Sequence, residues 1–549
     1  MPSDRSAPLS PPSPAIRRVI AWLLPIVAGV LAACGFQPLA LWPLTLIGMA
    51  CLAWLAMRAG GARSAFLTGW LFGLGLFTLS DNWIATAFTY QAQMPVWLGG
   101  IAVGLLSLYL AIFPGLASLG LWLIVRPAPG TPPALAAVPA FAGLWIVSEW
   151  LRAWLFTGFA WNPIGVALLG PFRHPGLAAL TPWIGTYGLS GLLVLLAAAA
   201  AWAAGHAAAA RSAPVRLAGA LGALLPLALA ALGMVALRPP AEQAEGGIAY
   251  TLVQPDLRQE VIDDPRRFEP NFQTLARLSP PLRPGQKRLV LWPESGLADY
   301  LRDGYPSEYY YQFTYAADPG LARRRIGHTI GDYGLLLSGG VDLVMADGKV
   351  RGARNSVTAF DGRGDILASY SKAHLVPYGE YLPMRGLLEP LGLSRLVAGA
   401  LDFWPGPGPR TYDLGDYGKA GVQICYEIVF SGEVVDPKAR PDYIFNPSND
   451  GWFGAWGPPQ HLAQARLRAI EEGLPVLRST TTGISAVIDA DGVVRAFAPW
   501  HHRSRLDGFI PPAHEATAFA RIGNALPLTL AAALILLAFF MVALHRRRR

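Results

Sequence analysis

Eight long apolar runs constrain this chain more than any other feature: seven crowd the first 240 residues and one lies near the end. A helix needs roughly 20 apolar residues to cross the hydrocarbon of a bilayer. The runs fall at about 16–34, 38–57, 64–88, 97–125, 134–154, 183–205, 215–237 and 520–544. Only 15% of the 549 residues are charged and 53% are hydrophobic, which excludes an ordinary soluble protein. The charge is uneven. Residues 247–510 hold 28 Lys and Arg against 30 Asp and Glu, whereas the remainder holds 16 basic and 6 acidic residues. The high isoelectric point thus belongs to the apolar part and its flanks, and no nucleic-acid-binding face is expected.

Basic residues orient the runs. With the N-terminus in the cytoplasm, the inner segments carry Arg5, Arg17, Arg18, Arg58, Arg63, Arg126, Arg211, Arg216 and the tail Arg546 to Arg549. The outer loops carry Arg152 and Arg173. The reading is a disordered cytoplasmic tail at 1–15, rich in Pro and Ser, and a seven-helix membrane domain at 16–240. An extracytoplasmic domain follows at 247–510, then a final membrane helix at 520–544 and a basic cytoplasmic tail at 545–549. A domain so placed meets lipids and secreted proteins but not ATP. Leu31-Ala-Ala-Cys34 looks like a lipid-attachment signal, yet another span begins within a few residues, so Cys34 reads as the end of the first span.

Within 247–510, strand-like runs occur at 248–254, 289–293, 334–344, 355–360, 366–370, 420–424, 443–446 and 484–488, and helical patterns at 266–279 and 458–473. Strands interleaved with helices predict a layered α/β fold with active residues at strand ends. The domain contains one cysteine, Cys425, so it forms no internal disulfide. An isolated Cys is a small buried apolar residue or a nucleophile. Glu294 closes one apolar run and Lys372 another, which favours the nucleophile. Glu294 is the candidate base, and Lys372 with the Tyr426 main-chain N–H the candidate oxyanion donors. His374 and His461 are rival bases. Glu380 and Glu427 orient Lys372 or hydrogen-bond loops, or act on substrate; Glu427 and Tyr426 stand where an incoming amine could approach.

Other segments leave alternatives open. Glu149, near a span end, is a functional intramembrane acid or an interfacial one. Tyr309-Tyr310-Tyr311 marks lipid headgroups or an interfacial anchor. Residues 382–409 are too apolar for a surface loop, and form a mobile arm touching the bilayer or a helix packed on the core.

The order Glu294, Lys372, Cys425 resembles the nitrilase superfamily. Arg152-Ala-Trp-Leu-Phe-Thr-Gly-Phe-Ala-Trp161-Asn162-Pro, His374-Leu-Val-Pro-Tyr-Gly-Glu380-Tyr-Leu-Pro, and Asn449-Asp-Gly-Trp-Phe-Gly454 with Gln460-His461 narrow the resemblance to the apolipoprotein N-acyltransferases. That resemblance implies an αββα sandwich beside about eight transmembrane helices, in a bacterial inner membrane with the catalytic domain facing the periplasm. It implies acyl transfer from a phospholipid, typically phosphatidylethanolamine, through a Cys425 thioester to the N-terminal amine of a diacylglyceryl-cysteine lipoprotein. Glu294, Lys372 and Cys425 take the triad positions, and Glu380, Tyr426 and Glu427 match further positions the family needs. No cofactor or metal is implied, and the enzyme is expected to be a monomer. A membrane-tethered amidase is the alternative. Where the family commonly has a Trp shortly after the first strand, Gln254 is followed by Pro-Asp-Leu-Arg-Gln-Glu-Val-Ile.

Overall fold

The computed structural model describes residues 14–90, 95–126, 134–237, 246–391 and 402–548. The tail expected to be disordered therefore lies outside the described residues, except its last two positions. Helices occupy all eight apolar runs: Pro14–Ala33, Trp42–Ala56, Ala62–Ser80, Trp97–Leu110 continued by Ile112–Val125, Ala137–Trp154, Thr181–Ala209, Ala213–Ala236 and Ala525–Arg547. Among the described residues, five stretches are long and apolar enough to cross a membrane: Ala62–Ser80, Trp97–Val125, Leu177–Ala209, Ala213–Ala236 and Ala525–Arg547. Trp22–Ala33 and Trp42–Ala56 are shorter apolar helices. The helix Ala137–Trp154 buries Glu149 and Arg152.

Small residues set the helix spacing. A Cβ on Gly29 would sit 2.0 Å from the Phe72 carbonyl oxygen, and one on Gly75 would sit 2.1 Å from that of Ile26. The first and third helices thus cross backbone against backbone, a packing membrane helices favour because van der Waals contact replaces the hydrophobic effect there. Leu217, Leu221, Leu224 and Leu232 are each more than half exposed along Ala213–Ala236. Such an apolar stripe requires lipid around it. The expected run 64–88 ends early, at Ser80, where Asp81 and Asn82 break the apolar pattern and Asn82 Nδ2 caps the Leu79 carbonyl at 2.6 Å. The chain then turns through Ile84–Ala87 and Phe88–Tyr90.

The following domain comprises β1 (Ala249–Gln254), β2 (Arg288–Leu291), β3 (Gly334–Ala346), β4 (Lys349–Phe360), β5 (Ile366–Ser371), β6 (Thr411–Asp413), β7 (Lys419–Val422), β8 (Tyr443–Ser448), β9 (Val476–Thr480), β10 (Ser485–Ile488), β11 (Val494–Ala498) and β12 (Ser504–Phe509). Among the described residues they form two six-stranded sheets, ordered β12-β1-β2-β3-β4-β5 and β11-β10-β9-β8-β7-β6. The central strands β1, β2 and β3 are parallel, as are β7, β8 and β9. Tyr250, Leu252, Leu289, Leu291, Leu335 and Leu337 of one sheet share a core with Ala420, Val422 and Phe445 of the other. Helices Phe268–Arg277 and Pro319–Ile330 cover the outer face of the first sheet through Phe272, Leu275, Ala322 and Ile326.

The helix Gly457–Glu472 covers the second sheet and has two apolar faces. Leu462, Ala465 and Ala469 join the sheet core, while Ala463, Leu467 and Ile470 join the core of the membrane bundle. Every residue from Gln460 to Glu472 is buried. One helix thus belongs to both parts of the molecule, and it fixes how the sandwich sits on the bundle.

Strands β6, β9, β11 and β12 and helices Ser307–Phe313 and Pro319–Ile330 were not expected. The first of these strands is three residues long, β9 carries Arg478, Ser479 and Thr480, and β11 and β12 alternate exposed positions. Polar interiors and short lengths hide them from apolar pattern. Of the 382–409 segment, 392–401 lies outside the described residues. Its start includes the turn Arg385–Leu388 with Met384 and Leu387 exposed, and its end returns along β4, where Trp404 N–H donates to the Ala353 carbonyl at 2.8 Å.

Candidate active site

The candidate residues gather beyond the C-terminal ends of β2, β5 and β7, where a sheet leaves loops free to hold chemistry. Glu294 and Cys425 each sit three residues beyond a strand, after β2 and β7, rather than on its last residue; Lys372 immediately follows β5. Glu294, Lys372, Glu380 and Cys425 are each no more than 6% exposed. Lys372 Nζ lies 3.0 Å from Glu380 Oε1 and 3.5 Å from Glu294 Oε1. Burial disfavours the ammonium charge, but Glu380 and Glu294 outweigh it, so the Lys372 pKa is raised and the residue stays charged.

Glu294 is held on both oxygens. Oε1 accepts from Asn355 Nδ2 at 2.7 Å, and Oε2 accepts from the Asn449 main-chain N–H at 2.7 Å. The other contact of Asn355 Nδ2 is Glu380 Oε1, at 2.9 Å, and Glu380 Oε2 accepts from the Val376 N–H at 2.8 Å. Asn355 therefore bridges the two carboxylates that flank Lys372. Sequence reasoning missed this role, although an Asn beginning an otherwise apolar strand run was a visible signal.

Cys425 opens a short 3₁₀ turn, Cys425–Val429, with φ of 51°. That left-handed conformation costs a non-glycine residue about 1–3 kcal/mol and persists only where its surroundings impose it. Burial pushes the thiol well above its ordinary pKa; Glu294 adds to the rise and Lys372 opposes it. The resting residue is accordingly a thiol, and attack requires a base.

Glu427 is the third residue of this turn. Oε2 accepts from the Ile424 N–H at 2.7 Å; Oε1 accepts from Tyr370 Oη and the Ala373 N–H, each at 2.7 Å, and the His374 N–H at 3.2 Å. The carboxylate ties the Cys425 turn to the Lys372 loop. Burial raises its pKa to about 7 against the pull of those donors. Tyr426 points toward the membrane bundle instead. Its ring lies parallel to Trp161 at 6.4 Å, and its hydroxyl reaches the Gly158 carbonyl at 3.4 Å.

The two rival histidines are engaged elsewhere. The His374 ring stacks on Phe430 at 4.1 Å. His461 meets the main-chain oxygen of Cys425 with Nε2 at 3.0 Å, while Nδ1 faces Arg478 and Asp450. Gln254 is saturated at the end of β1, accepting from the Ser485 N–H and donating to the Pro499 and His502 carbonyls. Glu149 accepts from Trp145 and from the Ile164 N–H, and so fixes the loop after its own helix. Tyr309 packs on Tyr300 at 5.8 Å, leaving Tyr311 exposed. Among the described residues no cluster of His, Cys, Asp and Glu suits a metal ion.

Residues 28–199 match the family model described as apolipoprotein N-acyltransferase N-terminal domain, and residues 251–510 match carbon-nitrogen hydrolase. The apolipoprotein N-acyltransferase of Rhodopseudomonas palustris is 32% identical over 96% of this chain and 97% of its own, and that of Bradyrhizobium diazoefficiens 34% over 94% of each. The chain belongs to the apolipoprotein N-acyltransferase family. It is an acyltransferase of a bacterial membrane, with a nitrilase-fold domain. A crystal structure of an amidase from Nesterenkonia sp. aligns with 50% of this chain and 93% of its own, at 18% identity and a TM-score of 0.32. Two of the sequence motifs meet here: Trp161 Nε1 and Asn162 Nδ2 both donate to Gln460 Oε1, at 2.8 and 2.9 Å.

Proposed function

We propose that the enzyme moves a fatty acyl chain from a phospholipid, phosphatidylethanolamine being the expected donor, to the N-terminal amine of a diacylglyceryl-cysteine lipoprotein. The observation that carries this reading is the burial of Glu294, Lys372 and Cys425 together, with Tyr426, the residue after Cys425, stacked on Trp161 of the membrane part. In the first half-reaction, Glu294 takes the thiol proton and sulfur attacks the ester carbonyl. Lys372 Nζ and the Tyr426 N–H receive the oxyanion. Collapse releases the lysophospholipid, whose oxygen takes the proton back from Glu294, and leaves a thioester on Cys425. In the second, the acceptor amine attacks the thioester as Glu294 takes its proton. The amide forms and the thiolate leaves, recovering that proton. One thiol serving two substrates in turn gives ping-pong kinetics.

Eight spans, with 247–510 on the periplasmic side of the inner membrane and both termini inside, fit the basic-residue pattern and the eight helical runs. The site lies within one chain, consistent with a monomer. A membrane-tethered amidase would have no use for a membrane helix bundle packed against the turn that bears its nucleophile. Incubation with phospholipid and no acceptor tests the reading by intact mass. The wild type should gain one acyl group and lose it on addition of lipoprotein peptide, and Cys425→Ala should gain none. Cys34→Ala and Cys51→Ala should behave as wild type. Full turnover by Cys425→Ala would sink the thioester route.

A further inference from the structure

The peptide bond between Cys425 and Tyr426 carries both the Cys425 carbonyl and the Tyr426 N–H. A trans peptide is planar, so these two groups point in opposite directions and turn together. Tyr426 is the second residue of its 3₁₀ turn, where the first amides of a helix have no partner within it. Whatever grips the Cys425 oxygen therefore sets where the Tyr426 N–H points.

His461 Nε2 supplies the close grip, at 3.0 Å. Asn446 Nδ2 stands farther off, at 3.5 Å, and is committed to the Gln423 carbonyl at 2.6 Å. The histidine is locked from behind. Arg478 donates to its Nδ1 at 2.9 Å, to Ser448 Oγ at 2.9 Å and to both oxygens of Asp450 at 2.7 and 2.8 Å. The Cys425 oxygen can only accept, so the ring proton that faces it is on Nε2, while Nδ1 stands against both Arg478 and, at 3.0 Å, Asp450 Oδ1. His461, Arg478 and Ser448 are fully buried and Asp450 is 1% exposed. The Trp161 ring lies 5.2 Å from the imidazole, and Gln460, the preceding residue, fastens Trp161 and Asn162. The carbonyl of the left-handed Cys425 is thus held by a network reaching from β9 to the membrane bundle.

We propose that His461, held by Arg478 and Asp450, is a positioning residue that aims the Tyr426 N–H at the oxyanion of acyl transfer. This inference rests on the reading of Cys425 as nucleophile. A donor removed from an oxyanion site costs about 100-fold in rate, and tilting it away costs the same when the tilt breaks its hydrogen bond.

The test separates oxyanion support from thiol reactivity in the full-length enzyme in detergent micelles. Acyl-enzyme formation from phosphatidylethanolamine is followed by intact mass, and alkylation of Cys425 by iodoacetamide is followed in parallel. In alkylation sulfur displaces iodide from a saturated carbon, and no oxyanion forms. His461→Ala should slow acylation about 100-fold, while alkylation stays within about threefold because it needs only the thiolate. His461→Gln, whose terminal amide can reach the ring Nε2 position, should recover most of the acylation rate, whereas the shorter His461→Asn should not. Parallel loss of acylation and alkylation in His461→Ala, or equal rates for the Gln and Asn variants, overturns the proposal. If His461→Ala does not fold, the Gln and Asn pair decides. A wild type that gains no acyl mass overturns the thioester reading together with this one; the variants bear on His461 alone.

Discussion

Trp161 Nε1 donates to Gln460 Oε1 at 2.8 Å, joining residues 299 positions apart across the boundary between the membrane bundle and the sandwich. Gln460 Nε2 in turn donates to the Ser80 carbonyl at the end of the third helix. All three of its contacts are buried, so truncation strands donors away from water. Gln460→Ala should destabilise the enzyme by about 1–3 kcal/mol for each donor left bare. It should also slow acyl-enzyme formation, because Trp161 backs Tyr426. An unchanged thermal midpoint in detergent would show that this joint contributes nothing.

Asn355 divides one side-chain amide between Glu294 and Glu380. Asn355→Ala frees Glu294 to rotate away from the thiol, and a misplacement of this kind costs about 10- to 100-fold in rate. Asn355→Asp should be worse, since it places a third carboxylate among two that already share Lys372. Single-turnover acylation rates for the two variants, measured on folded protein, check the order.

Glu427 carries a pH signature. Burial raises its folded pKa to about 7, above the value of 4.5 expected of an exposed Glu. The folded state therefore binds the extra proton, and the stability this contributes is fully present below the unfolded pKa and lost as pH rises through about 7. The difference amounts to about 3 kcal/mol. Buried Glu472 has the same direction and a similar folded pKa, so wild-type stability should fall between pH 5 and pH 8 from both groups. Glu427→Gln should remove the Glu427 share of that slope in melting curves.

Glu427→Gln also tests where the residue acts. Its four donors belong to Ile424, Ala373, His374 and Tyr370 of the enzyme itself, not to space open to an amine. An amide nitrogen placed against the Ile424 N–H meets donor with donor, so loading of Cys425 should slow in the first half-reaction. Normal loading with slow transfer to lipoprotein would return Glu427 to the acceptor step.

The orientation has a direct check. A reporter active only in the periplasm, fused after residue 240, should be active, and the same reporter after Arg549 should be silent. The reverse pattern would invert every loop.

Glu294, Lys372 and Cys425 stand out as candidates in the amino-acid order, because each ends or follows an apolar run with a residue whose chemistry the run does not need. The helical runs were legible for a similar reason: hydrocarbon tolerates no exposed backbone, so a span must advertise itself over about 20 residues. The early stop at Ser80 was local too, written in Asp81 and Asn82. Asn355, Arg478 and Asp450 were not legible as partners. Hydrogen bonds between side chains depend on which strands become neighbours, and β4 meets β5 and β8 meets β9 only after the sheets assemble. The same holds for the helix Gly457–Glu472. Its sequence reads as a helical pattern and no more, yet it is buried on both sides, with Arg468 bonded to Val429 and Thr186 and Glu471 bonded to Thr186 and Ser431. Local pattern determined which segments form apolar helices and which side chains could carry chemistry. Tertiary structure decided which polar groups satisfy one another, because a buried hydrogen bond needs a partner that only the folded chain brings within reach.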